Sequence, residues 1–168
     1  MRLGEGVEWA IHCCTLLAVL PEGVALPATR LAEYHEVTPS YLAKHLQALR
    51  EAGIVTSSAG RHGGYRLARA AEDVTLLDVV LAVEGRQRAF RCTEIRRCGP
   101  AAVPEATYPK PCGIAAAMHR AEDAWRAELA ATTVADMVGE TLRNAHPASV
   151  EKGGTWIRSI ANARGGTP

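Results

Sequence analysis

Thr38-Pro39-Ser40-Tyr41-Leu42-Ala43-Lys44-His45-Leu46-Gln47-Ala48-Leu49-Arg50-Glu51-Ala52-Gly53 is the stretch that decides the fold. Thr38 is a residue type that caps a helix N-terminus, and Pro39 is tolerated at the first helical position. Leu42, Leu46 and Leu49 recur at i, i+4 and i+7 and make one apolar stripe. Gly53 stands where a left-handed residue closes a helix. The spacing predicts a helix over 39–52. Upstream, residues 7–20 read as a helix that is apolar on most of its surface, ended by Pro21-Glu22-Gly23. Leu26-Pro27 opens a short helix over 28–36, and Val37 is the turn. Downstream, Ile54-Val55-Thr56-Ser57 and Tyr65-Arg66-Leu67-Ala68 are strand candidates. The glycine-rich tip Ala59-Gly60-Arg61-His62-Gly63-Gly64 joins them.

Further along, Thr75 caps a helix whose apolar set is Leu76, Leu77, Val79, Val80 and Val83, and Gly85 ends it. Residues 86–112 carry prolines and cysteines without a helical period. An alanine-rich helix follows over 113–130, with Met118, Trp125 and Leu129 on one face, and Thr133 caps a last short helix to Leu142. The Gly-, Pro- and polar-rich remainder, 143–168, is expected to be a mobile tail. The expected fold is mainly α with a small β-hairpin wing: a winged helix-turn-helix over 1–85, then a loop and a long C-terminal helix.

Composition agrees. The 168 residues are 48% hydrophobic and 22% charged, enough for one core without metal or disulfide staples. Aromatics make up only 5%, which favours helix over sheet. No apolar run approaches the roughly 20 residues of a membrane helix. Glu5 and Glu8 interrupt the N-terminus before any signal-peptide core, so a cytoplasmic protein is expected. Five cysteines in such a chain are not a disulfide framework.

The second helix of a helix-turn-helix enters the DNA major groove with its N-terminal residues toward the bases. Charge supports that use. Residues 38–69 hold Lys44, Arg50, Arg61, Arg66 and Arg69 against the single acid Glu51, a local +4 in a chain of net charge +1. The candidate contacts are Thr38, Ser40, Tyr41, Lys44 and His45 on the helix and Arg61, His62, Gly63, Gly64 and Tyr65 on the hairpin. Ser40 and Tyr41 can bond phosphates or base edges, and Lys44 can neutralise a phosphate. An enzyme is not expected: there is no nucleophile–base pair, and a strand rather than a helix follows the glycines at 60–64.

The run from Ser40 to Val55, followed by Gly60-Arg61-His62-Gly63-Gly64-Tyr65-Arg66-Leu67-Ala68-Arg69, resembles the bacterial winged-helix regulators that include IscR, NsrR and RsrR. The resemblance covers about residues 1–140. It implies a homodimer paired by the long helix after residue 113, binding near-palindromic double-stranded promoter DNA as a repressor, with an iron–sulfur cluster near the dimer interface. The loop 86–112 would be the cluster-binding loop.

Within that family the chain is most similar to the redox-sensing RsrR type. The shared stretches are Gly6-Val7-Glu8-Trp9-Ala10 with Cys13-Cys14, Leu31-Ala32-Glu33 with His35, and Cys92-Thr93-Glu94-Ile95-Arg96. The likeness implies a 2Fe–2S cluster with Cys92 and Cys112 from one subunit and Glu8 and His35 from the other. The spacing C-x5-C-x13-C places the third cysteine later than the family's usual short loop. Cys98 is therefore left open, as a further ligand or a free thiol. A 4Fe–4S cluster ranks below 2Fe–2S. Zinc is the alternative metal, although tight C-x2-C pairs are absent. A thiol switch without metal, or a nitric-oxide-responsive cluster, are the alternative sensors. Replacing two thiolates by imidazole and carboxylate would raise the potential, as in Rieske centres, and an imidazole would couple reduction to proton uptake. The bland readings are that Glu8 favours the helix dipole and His35 caps carbonyls. Cys13 and Cys14 are expected to pack in the core.

Overall fold

The computed structural model describes residues 3–100, 102, 110 and 112–165, with side chains as far as 162. Seven helices and one hairpin follow in chain order: α1 Glu5–Ala18, α2 Ala28–Tyr34, α3 Pro39–Glu51, β1 Val55–Ser58, β2 Gly64–Leu67, α4 Leu76–Glu84, α5 Gly113–Ala131, α6 Val134–Asn144 and α7 Pro147–Gly165.

The decisive stretch folds as its pattern requires. The Thr38 hydroxyl accepts the Tyr41 N–H at 3.3 Å, and Pro39 opens the helix. Leu42, Leu46 and Leu49 have no exposed surface. Gly53 takes the left-handed conformation at φ +69 that an L side chain resists. From there Ile54 and Val55 run buried into β1.

The wing is an antiparallel pair in which Val55 faces Leu67 and Ser58 faces Gly64. It gains a third segment, because Leu26 and Tyr65 exchange backbone hydrogen bonds of 2.9 and 2.7 Å. Gly64 is required at that crossing: a Cβ there would lie 2.6 Å from the Pro27 nitrogen. The turn at the tip closes through Gly63 N–H to the Gly60 carbonyl at 2.9 Å, leaving Arg61 and His62 at its apex.

Around this unit α1 packs on α3, α4 and α6. Its buried face includes Val7, Ala10, Cys13, Cys14, Leu16 and Leu17. Reciprocal capping boxes start α4 (Thr75 with Asp78) and α6 (Thr133 with Asp136). The two starts are tied by Leu76 N–H to Thr132 O at 2.9 Å and Val134 N–H to Val74 O at 2.8 Å. No helix among the described residues is long and apolar enough to cross a membrane.

One element corrects the sequence reading. The expected mobile tail over 143–168 contains α7. Pro147 and the pair Gly153-Gly154 read as breakers, but Pro147 occupies the helix start, where its missing N–H costs nothing. Gly153 lets α7 approach α2 closely, since a Cβ there would lie 3.2 Å from Tyr34 Oη. Trp156 and Ile157 pack on the core and Ile160 enters it at 6% exposure.

Candidate functional site

Two groups of predicted residues lie on different sides of α1. The first is the exposed face of α3 with the wing. Thr38, Ser40 and Lys44 are exposed, and the Thr38 and Ser40 hydroxyls lie 3.2 Å apart. Arg61 and His62 are exposed at the tip, while Gly63, Gly64 and Tyr65 are half-buried where the wing meets Leu26.

Two predicted contacts turn inward, and one basic residue is paired at the surface. His45 is buried at 6% exposure. Its ring lies edge-on to Tyr41 at 5.5 Å and sits so close to Gly6 that a Cβ there would be 2.7 Å from Nδ1. It packs between α1 and α3 instead of standing on the exposed face of α3. Tyr41 is half-buried, its hydroxyl donating to Glu5 Oε2 at 3.4 Å and its ring edge-on to Trp9 at 6.3 Å. Arg69, part of the basic count, is drawn to Asp78 at 3.0 Å and the Asp73 carbonyl at 2.7 Å. Sequence reasoning missed Gln47, exposed one turn beyond Ala43 and Lys44 and bonded to Glu51 at 2.8 Å. Its signal was available: positions 40, 43, 44 and 47 lie opposite the leucine stripe.

The second group holds the candidate ligands. His35 caps α2. Its ring contacts Trp9 at 5.8 Å, His12 at 5.9 Å and Tyr34 at 5.1 Å. Burial and then the neighbouring His12 push its pKa below the usual value, favouring neutral imidazole. Its Nε2 is buried with no hydrogen-bond partner. A buried polar atom left unpaired is costly and calls for an explanation. His12 and His35 both line a largely apolar cavity of about 460 Å³ between α1, α2, α6 and α7. Glu8 is exposed on α1, one turn before His12.

The cysteine side sits at the start of α5. Cys112 is its N-cap residue, buried at 8% exposure. The backbone N–H groups of Ala115 and Ile114 hold its pKa below the usual thiol value, with the nearby Arg96 charge adding to the effect. Cys92 and Cys98 are exposed. The Glu94 N–H donates to Cys92 Sγ at 3.4 Å. Cys13 and Cys14 are buried as expected, and burial pushes the Cys13 thiol up to about 12. A clamp at the other end of the loop was not foreseen. Buried Glu122 accepts the Ala89 N–H at 3.2 Å and Arg126 Nε at 2.9 Å, while Arg126 reaches the Arg86 and Gln87 carbonyls at 3.4 and 3.3 Å. It fixes the loop entrance on α5.

Backbone strain marks both ligand regions. Among the described residues the left-handed non-glycines are Glu36 at φ 54 and Glu94 at φ 52. One follows His35 and the other lies two residues past Cys92. Such conformations cost on the order of 1–3 kcal/mol and persist where the surroundings enforce them. Within one chain the described residues bring no three His, Cys, Asp or Glu together around a metal position. The donors nonetheless suit an iron–sulfur group: sulfurs supplied with backbone N–H groups, and a neutral imidazole with an unpaired nitrogen. Residues 101, 103–109 and 111 of the insert Pro100–Pro111 lie outside the described residues.

A short helix–turn–helix pair, a glycine-tipped wing and a long helix after a cysteine loop define a winged-helix regulator. The profile of the Rrf2 family, described as "Iron-dependent Transcriptional regulator", matches residues 3–140, and the chain belongs to that family. The putative HTH-type transcriptional regulator YffB of Lactococcus lactis is 31% identical over 144 residues, covering 86% of this chain and 91% of that protein. The putative regulator Rv1287 of Mycobacterium tuberculosis is 30% identical over 143 residues, covering 84% of each. The structure of CymR, the global cysteine regulator of B. subtilis, superposes with a TM-score of 0.67 at 20% identity, over 84% of this chain and 98% of that one. T. potens IscR superposes with a TM-score of 0.64 at 18% identity, over 89% and 96%. The relatives are named as transcriptional regulators, and no enzymatic family is indicated. Helix α7 lies beyond the family match.

Proposed function

We propose that this Rrf2-family regulator is a homodimeric repressor that senses redox state through a 2Fe–2S cluster, with Cys92 and Cys112 of one subunit and Glu8 and His35 of the other as ligands. A 2Fe–2S cluster, when bound, supplies one-electron exchange. The observation that carries the reading is His35: its buried Nε2 lacks a partner, and its ring touches Trp9, which in turn touches Tyr41 of α3. A ligand shift at His35 therefore bears on the helix that would enter the major groove. The other residues do the DNA work. Ser40 and Lys44 would position α3 on the phosphates, and Arg61 and His62 would reach the flanking minor groove.

Anaerobic purification with iron and sulfide analysis tests this. The expected result is about two irons and two sulfides per subunit, with a visible spectrum that bleaches reversibly on dithionite. Glu8→Ala or His35→Ala should alter that spectrum. Protein that stays colourless after anaerobic reconstitution would overturn the cluster. A second reading rests on the thiols themselves: exposed Cys92 and Cys98 beside a Cys112 thiol of lowered pKa suit a metal-free thiol switch. Loss of the redox response in Cys98→Ala, in protein that binds no metal, would favour it.

A further inference from the structure

The two ends of the cysteine loop meet at one side chain. Arg96 follows Cys92 by four residues, and Lys110 precedes Cys112 by two. The Arg96 guanidinium makes a fork to the Glu94 carboxylate, Nε to Oε1 and Nη2 to Oε2, the latter at 2.8 Å. The same Nη2 donates to the Lys110 carbonyl at 3.2 Å. Glu94 is the left-handed residue whose N–H donates to Cys92 Sγ. Arg96 and Glu94 are both mostly shielded, with side chains 30% and 24% exposed, so the pair is more than a solvated surface contact.

We infer that Arg96 is the positioning residue of the cluster site: it holds the Cys92 turn in its left-handed form and ties it to Lys110, two residues before Cys112. This rests on the cluster reading above. The fork to Glu94 offsets the strain that presents the N–H to Cys92, and the Lys110 bond sets the distance to Cys112. Planarity matters as well as charge, because a lysine ammonium offers no fork. Arg96 also places a positive charge near the Cys112 sulfur, which favours the more negative, reduced state of any cluster held there. Removing it leaves Arg97 as the cation beside the Glu94 carboxylate.

The test compares wild type, Arg96→Gln and Arg96→Lys, each anaerobically reconstituted. Arg96→Gln is expected to release iron to a chelator about tenfold faster or more, the usual effect of losing a partner behind the ligands, and to shift the midpoint potential downward. Arg96→Lys should restore most of the potential but not the iron retention. In iron-free protein carrying Cys98→Ala, dibromobimane, which fluoresces on joining two nearby thiols, should link Cys92 to Cys112 more slowly with Arg96→Gln. Equal potentials, iron release and cross-linking across the three proteins overturn the role of Arg96 and leave the cluster standing. A wild-type protein that takes up no cluster overturns the cluster reading and this inference with it.

Discussion

Gly6→Ala should destabilise this protein although helix propensity says the opposite. Gly6 lies within α1, where alanine ordinarily gains about 0.5–1 kcal/mol over glycine. Here the new methyl would sit 2.7 Å from His45 Nδ1 and closer to Cε1. Non-bonded atoms prefer about 3.5 Å or more, so the ring must move by about 1 Å. His45 is buried against Tyr41, so a shift of its ring disturbs that contact. Overpacking of that kind costs about 1–3 kcal/mol, leaving a net loss of up to about 2.5 kcal/mol. For a chain of this length that lowers the melting temperature by up to roughly 10 °C. Thermal melts at one fixed protein concentration read it. Because His45 lies under α3, DNA affinity should fall as well. His45→Ala opens the space, so the Gly6→Ala/His45→Ala double variant should be more stable than the sum of the single effects by about 0.5 kcal/mol or more. A Gly6→Ala protein that melts at or above the wild-type temperature, or strict additivity in the cycle, would refute the packing argument.

Lys44→Ala and Arg61→Ala should each weaken DNA binding on every sequence and reduce the slope of log affinity against log salt by about 1, measured by fluorescence anisotropy; an unchanged slope would remove that residue from the phosphate contacts. Glu122→Ala leaves Arg126 without its counter-charge at the loop entrance and should cost about 3 kcal/mol in urea unfolding; a loss under 1 kcal/mol would show that the clamp is dispensable. Hydrogen bonds from the Thr133 hydroxyl and N–H hold the Asp136 carboxyl below its ordinary value near 3.8. That contribution is present above the unfolded value and disappears as pH falls through the folded one. Thr133→Ala should therefore be less stable at neutral pH and unfold less steeply with acid; parallel acid profiles would contradict the cap.

The helix-turn-helix was legible because each of its signals is local. Thr38, Pro39, the leucine stripe and Gly53 each act within one or two turns, as do Thr75 and Thr133 at their helix starts. What escaped depends on contacts distant in sequence. Helix α7 was hidden because Pro147 and Gly153-Gly154 are breakers by local rules, and only docking on Tyr34 and the core gives them another meaning. His45 looked available to DNA because a charge-and-hydroxyl count ignores which side of α3 faces α1. Arg69 was counted as free charge because Asp78 lies across a turn. For the candidate ligands, the resemblance to the RsrR type named Cys92, Cys112, Glu8 and His35. The unpaired Nε2 of His35 and the left-handed Glu36 and Glu94 are visible only in three dimensions. The clamp of Glu122 and Arg126 joins residues more than thirty positions apart and has no sequence signature.

The central claim is that electron transfer at His35 and its fellow ligands alters DNA binding, and one comparison addresses it. A duplex is first selected from random sequence with the oxidised, cluster-loaded protein. Its affinity is then measured anaerobically on the same sample before and after dithionite, and again after reoxidation. A reversible change of tenfold or more, about 1.4 kcal/mol, is the expected result, and it should be lost in His35→Ala. Equal affinity of the oxidised and reduced forms would contradict redox control, whatever the cluster's composition.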